Sequence, residues 1–289
     1  MKNARQRHVS RRTALSAGLV VASGLVASAC SSRSSGAPGH DDDGAAMAIT
    51  HIHGITRDPR TGKVVIATHQ GLYGLEQDGW TGGGPVLDLM GFAIAPDGSY
   101  LGSGHPGPAL NLPQPAGLVR STDQGRTWTV LSRGGESDFH ALAAGPDFVI
   151  GFDGTLRLTE DQTTWSDLAI PAAPHSLAAS PTSGVVLAAT EQGLLASGDR
   201  GATWKPLTPP ALLGLVAWAD DNTIVGAGVD RRLHLSRDAG QSWTAGTKEV
   251  GEVTALGAST SDGKAEALFV VGTDVLRSTD GGATTERLG

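Results

Sequence analysis

Short apolar runs separated by turn residues recur along most of the chain. Between residues 175 and 207 the runs are His175–Ser180, Val185–Thr190, Gly193–Gly198 and Ala202–Leu207, each bounded by Gly, Asp or Pro. Runs of this length, rich in Val, Ile, Leu and Thr, predict four short strands in succession. The same four-run unit repeats. Ser121–Trp128 reads S-x-D-x-G-x-T-W, Ser197–Trp204 copies it, Ser236–Trp243 copies it with Ser for Thr, and Ser278–Thr285 copies it without the Trp. Leu158–Trp165 is a worn copy and Tyr73–Trp80 a fainter one. The last positions fall at 80, 128, 165, 204, 243 and 285, so the period is close to 39 residues. The longest step contains an insertion between Gly104 and Gly117. Self-similarity at such a period marks a repeat architecture. Composition agrees: Gly is 41 of 289 residues, about twice the usual share of roughly 7%, which favours many tight turns over a helical bundle.

The repeated octapeptide resembles the Asp-box, or BNR repeat, and the resemblance covers residues 47 to 289. It implies an all-β fold: a six-bladed β-propeller of four-stranded blades around a channel. Within each box, Ser and Asp side chains are expected to bond backbone N–H groups of a tight turn, and Gly to take the positive φ the turn needs. Asp123, Asp199, Asp238 and Asp280 are therefore read as structural. The box Trp is expected to bury about 150–250 Å² between blades, an upper estimate of about 4–6 kcal/mol each. Its loss at Thr285 predicts a weaker last blade. The last unit already supplies four strands, and residues 44–50 are a candidate for an additional outer one.

The first thirty residues read as an address. Lys2, Arg5, Arg7, Arg11 and Arg12 precede sixteen small or apolar residues, 14–29, and then Cys30. That order makes 1–29 a signal peptide. As a helix the apolar stretch spans roughly 24 Å, short of the ~30 Å hydrocarbon core. Ala27-Ser28-Ala29-Cys30 resembles a bacterial lipobox, with Ala27 where Leu is usual, and implies cleavage before Cys30 and its lipidation. Ser10-Arg11-Arg12-Thr13-Ala14-Leu15 resembles a twin-arginine export signal, with Ala14 where Phe is usual. Residues 30–46 are then a lipidated Cys and a flexible tether, in which His40 and Asp41–Asp43 read as solvated. The expected location is the outer face of the bacterial cytoplasmic membrane, with the lipid membrane as partner through Cys30.

Charge narrows the function. The net charge is −7, and removal of residues 1–29 leaves 17 Lys and Arg against 29 acids, or −12. An acidic protein lacks the cations that meet phosphates, so no nucleic-acid partner is expected. A single Cys excludes an internal disulfide and a multi-Cys metal centre. The chain is expected to be a monomer.

In a propeller the start of each inner strand and the end of the second strand point to one face, the top. His51 and His53 open the inner strand of the first unit and His69 closes its second strand. His105 closes the second strand of the next unit, and His140 and His175 open the inner strands of the third and fourth. Six of the seven histidines in the propeller thus share one face, and only His234 lies elsewhere. Glu136, Asp138, Asp153, Glu191, Asp230, Glu252 and Asp274 are placed beside them. Converging imidazoles and carboxylates suit a borderline divalent metal such as Cu or Zn. The expected ligands are His51, His53, His69, His105 and His140 with Asp138.

Asp-box relatives include sialidases and other glycoside hydrolases. The sialidase pattern needs an arginine cluster and a Tyr nucleophile. Here Tyr73 and Tyr100 are the only tyrosines and neither falls on the top face. A different glycoside hydrolase remains an alternative, with Glu136 or Asp138 paired with Asp153 or Asp230 as catalytic candidates. A second alternative is a non-catalytic protein-binding scaffold, as the resemblance to sortilin-like receptors and photosystem II assembly-type propellers implies. The whole-chain pattern, with His51-Ile52-His53-Gly54 and Ser137-Asp138-Phe139-His140, also looks like exported bacterial proteins catalogued as sialidase-like or glycosyl hydrolase by fold. The reading favoured by the residues is a lipid-anchored propeller that binds a ligand on a His/Asp-rich top face. An enzyme is not the favoured reading.

Overall fold

The computed structural model describes residues 49–261 and 263–289. The signal peptide, Cys30 and the tether lie outside the described residues. The described chain is all-β, twenty-four strands in six antiparallel meanders. Blade one is β1 (Ile52–Arg57), β2 (Val64–Thr68), β3 (Gly71–Glu76) and β4 (Gly79–Gly82). Blade two is β5 (Leu87–Ile94), β6 (Tyr100–Pro106), β7 (Leu118–Ser121) and β8 (Thr129–Ser132). Blade three is β9 (Ala141–Ala144), β10 (Val149–Phe152), β11 (Leu156–Thr159) and β12 (Ser166–Leu168). Blade four is β13 (Pro174–Ala179), β14 (Val186–Thr190), β15 (Gly193–Ser197) and β16 (Lys205–Leu207). Blade five is β17 (Leu213–Trp218), β18 (Ile224–Gly228), β19 (Leu233–Ser236) and β20 (Thr244–Ala245). Blade six is β21 (Val253–Ser261), β22 (Lys264–Val271), β23 (Asp274–Ser278) and β24 (Glu286–Arg287). The first strand of each blade touches the first strands of both neighbours, and β21 meets β1. The molecule is a six-bladed β-propeller.

Burial explains the strand sequences. The second strand of each blade is covered on both faces, so β2 and β14 are buried at every residue and read as unbroken apolar runs. Fourth strands form the rim, and β20 and β24 are exposed throughout. Apolar residues from adjacent blades interlock: Val65 and Leu72 of blade one pack with Leu89, Tyr100, Val119 and Trp128 of blade two.

Four turns share one hydrogen-bonding scheme. In the clean copies, the Oγ of Ser121, Ser197, Ser236 and Ser278 accepts the amide of Gly125, Gly201, Gly240 and Gly282. Asp123, Asp199, Asp238 and Asp280 accept amide and hydroxyl bonds from the residue four positions on. Those bonds hold the carboxyls of Asp123, Asp199 and Asp280 down to about 2. The worn third copy makes a tighter turn: Thr159 Oγ1 donates to Asp161, which accepts the amides of Thr163 and Thr164, two and three positions on. The Tyr73–Trp80 copy does not form such a turn. β3 and β4 are joined by a two-residue hairpin at Gln77 and Asp78, and Trp80 lies inside β4.

The box tryptophans pack between neighbouring blades. Trp128 is 9% exposed, whereas Trp80, Trp165, Trp204 and Trp243 are half-buried at the rim. Several tie blades with the indole N–H: Trp165 donates to Ser132 Oγ and Trp204 to the Ala169 carbonyl.

The ring closes without strand exchange among the described residues, and Ile49 and Thr50 join no strand. Closure rests on side chains. Ile52, Ile55 and Ile66 of blade one pack with Leu268, Val270 and Val275 of blade six. Glu266 on β22, fully buried, accepts a two-pronged bond from Arg57 on β1 at 2.7 and 2.8 Å, a bond from Ser259 at 2.8 Å, and a bond from Arg277.

Candidate functional site

Strand pairing places Ile52 opposite Thr68 and Leu87 opposite Pro106. Inner-strand starts and second-strand ends therefore lie at one end of the blades, and His51, His53, His69, His105, His140 and His175 all fall there. The local backbone then decides where each side chain goes. In blades one, two, four, five and six the inner strand skips one residue of register, at His53, Met90, His175, Gly214 and Thr254. Such a bulge re-aims its side chain. In blade three the matching position is His140, immediately before β9, whose amide bonds the Phe152 carbonyl. His53, Met90, His140, His175 and Thr254 line one axial cavity of about 760 Å³, together with Pro115, Phe152 and Leu215.

Two residues before the bulge, blades one, two and three carry His51, Asp88 and Asp138. The second-strand ends of blades one and two carry His69 and His105. The outcome is one contact made twice, each time from a blade to the next. His69 Nδ1 lies 2.9 Å from Asp88 Oδ2, and His105 Nε2 lies 3.1 Å from Asp138 Oδ2. Gly104 makes room for the first contact: at φ +149° it runs against the Asp88 carbonyl, and a Cβ there would sit 1.8 Å from that oxygen.

The two contacts recruit different third members. His140 Nε2 lies 2.8 Å from the same Asp138 oxygen that meets His105. At the other, the His53 and His51 rings stand edge-on to His69, with centroids 4.6 and 4.9 Å away. His53, His69 and Asp88 each offer a donor atom, and the three lie within 4.8 Å of one another. Among the described residues this is the one group of three or more such side chains that meets this spacing. The expected set of ligands is thus divided. His53 and His69 come together with Asp88, which the sequence reading did not single out. His51 flanks them, while His105, His140 and Asp138 form a separate hydrogen-bonded trio.

Electrostatics fit the division. Burial, reinforced by His69 beside it, lowers the pKa of His53 and keeps that imidazole neutral, the form that ligates metals. Eight buried side-chain polar atoms lack a hydrogen-bond partner among the described residues. Four of them are His53 Nε2, Asp88 Oδ1, His105 Nδ1 and Asp138 Oδ1. Buried polar atoms are otherwise almost always bonded, so this end of the molecule concentrates its unused donors and acceptors in the two trios.

The catalytic candidates are mostly engaged. Asp153 takes bonds from Ser137 at 2.5 Å and Arg157 at 3.0 Å. Burial would raise its pKa, and these bonds outweigh burial and lower it. Asp230 is likewise lowered against burial by its bond to His234, 3.0 Å away. Glu136 is exposed, 3.6 Å from Arg133. Asp138 is held between His105 and His140.

No family model matches the chain, and no curated protein matches it in sequence. Among solved structures it is similar to a chain of a nidogen/laminin complex, at 12% identity and TM-score 0.63, over 78% of this chain and 92% of that one. Virginiamycin B lyase from Staphylococcus aureus is similar at 15% identity and TM-score 0.55, over 82% and 84%. YCF48 from Cyanidioschyzon merolae is similar at 16% identity and TM-score 0.51, over 83% and 84%. At these identities the likeness is one of fold.

Proposed function

We propose that this protein is an exported, lipid-anchored propeller of the Asp-box type that binds one divalent ion through His53, His69 and Asp88. The observation that carries the reading is the convergence of those three side chains within 4.8 Å, with His53 Nε2 and Asp88 Oδ1 buried and otherwise unused. Two imidazoles and a carboxylate suit a borderline ion, and a site of this kind binds Cu(II) more tightly than Zn(II). His51 stands next to His69, and Asp88 also orients the His69 ring through its 2.9 Å contact.

The fold leaves the choice between binding and catalysis to the site. A virginiamycin B lyase and a YCF48 bound to a D1 peptide share the architecture. Glycoside hydrolysis by two carboxylates needs one with a raised pKa to serve as acid. Asp153 and Asp230 are instead held below the usual carboxylate range, which favours metal binding over that chemistry. Anchoring through Cys30 rests on the sequence of residues 1–30.

The test is a calorimetric titration of the protein, purified without a His tag, with Cu(II) and Zn(II). One ion per chain is expected, lost in a His53→Ala/His69→Ala variant whose thermal transition stays cooperative. Absence of stoichiometric binding, or binding unchanged in that variant, overturns the reading.

A further inference from the structure

The ion site and the axial cavity are contiguous. His53 belongs to the metal trio and also lines the cavity. Asp88 lies two residues before Met90, another lining residue, on the same strand. Three protein donors leave a divalent ion with positions to fill, the arrangement of sites that take up an exogenous ligand. The cavity of about 760 Å³ is in the range of roughly 300–1,000 Å³ that houses small organic ligands.

Its lining tells what kind of molecule fits. Met90, Pro115, Phe152 and Leu215 supply apolar surface. The carboxylates that face it already have partners: Asp138 has two imidazoles, Asp153 has Arg157 and Ser137, and Glu136 has Arg133. The free donor directed at the cavity comes from His175, whose side chain is 53% exposed. An oxygen anion therefore meets an ion and an imidazole, while the rest of the molecule meets apolar wall. At the sixth position of the axial ring stands Gly214, where an added Cβ meets nothing within 4 Å. The ring is open on that side.

Resting on the metal reading above, we propose that the axial cavity binds a small organic oxygen-donor anion with an apolar body, such as a carboxylate or hydroxamate. Its anionic head coordinates the ion held by His53, His69 and Asp88, and His175 donates a hydrogen bond to it. The protein is then a receptor for a metal–ligand pair.

The test uses the Cu(II)-loaded protein, followed by visible absorption and electron paramagnetic resonance. Azide probes the open coordination positions, and benzohydroxamate probes the positions and the cavity together. Ultrafiltration checks that copper stays with the protein. Both probes are expected to shift the copper spectrum saturably. Gly214→Trp, which fills the open side of the ring, is expected to keep copper and the azide response and to weaken benzohydroxamate at least roughly tenfold. Copper bound with no response to either probe overturns the proposal and leaves the metal reading standing. Benzohydroxamate binding as tight in Gly214→Trp as in the wild type overturns the cavity as its seat. Absence of bound copper overturns both.

Discussion

Glu266→Gln removes one negative charge from a fully buried position, leaving Arg57 without its counter-ion and Arg277 with Glu286 alone, 3.2 Å away. The consequence follows from where Glu266 stands. It is 0% exposed, while the Arg57 and Arg277 side chains that meet it are 24% and 30% exposed. Burial alone would raise its pKa. The bonds from Arg57, then Arg277 and Ser259, outweigh burial and bring it from 4.5 down to about 2. A shift of that size corresponds to about 3 kcal/mol at 1.36 kcal/mol per unit. Breaking a buried ion pair from one side costs about 3–5 kcal/mol. The two arginines reach water and soften that cost, so a loss of about 3 kcal/mol is expected. For a domain of this size it lowers the melting temperature by roughly 6–12 °C.

The pH dependence gives a second handle. A carboxyl with a depressed folded-state pKa contributes stability above its unfolded value, near 4.5, and loses it as pH falls toward about 2. Urea unfolding of wild type and Glu266→Gln should therefore differ by the full amount at pH 7. The gap should narrow progressively below pH 4.5. Equal midpoints at pH 7, or a gap that stays constant down to pH 2.5, would refute the idea that this ion pair holds the ring shut.

Trp128→Ala should cost about 3–5 kcal/mol in denaturant melts, and Trp204→Ala clearly less, because only the first ring is closed off from solvent. Ser197→Ala deletes the acceptor for the buried Gly201 amide and should lower stability by about 1–3 kcal/mol; an unchanged midpoint would remove these turns from the stabilising framework. Gly104→Ala should abolish stoichiometric copper binding in a calorimetric titration, since its Cβ would collide with the Asp88 backbone. Cys30→Ala should move the protein from the membrane fraction to the soluble extracytoplasmic fraction on immunoblotting, and a variant that stays with the membrane would refute anchoring at that residue.

Much of the fold was legible because its punctuation is chemical. Ser, Asp and Gly at fixed spacing appear wherever a turn must cap its own amides, and β2 or β14 reads as an apolar run because both faces are covered. The faint first copy misled because Trp80 occupies a strand; a hairpin of Gln77 and Asp78 does the work of a longer turn. The shared end of the histidines was legible from strand order. Which of them meet was not, since the bulges at His53 and His175 change side-chain direction without any sequence mark. Asp88 did leave a signal, as a lone acid in the otherwise apolar inner strand Leu87–Ile94. Its importance depends on His69, which belongs to the neighbouring blade.

The most direct test of the central claim is X-ray absorption fine structure on the protein loaded with one equivalent of Zn(II). A first shell with two imidazole nitrogens and at least one oxygen, lost in His53→Ala/His69→Ala, is the predicted result. A shell of oxygens alone, or an imidazole count that survives in the variant, would contradict it.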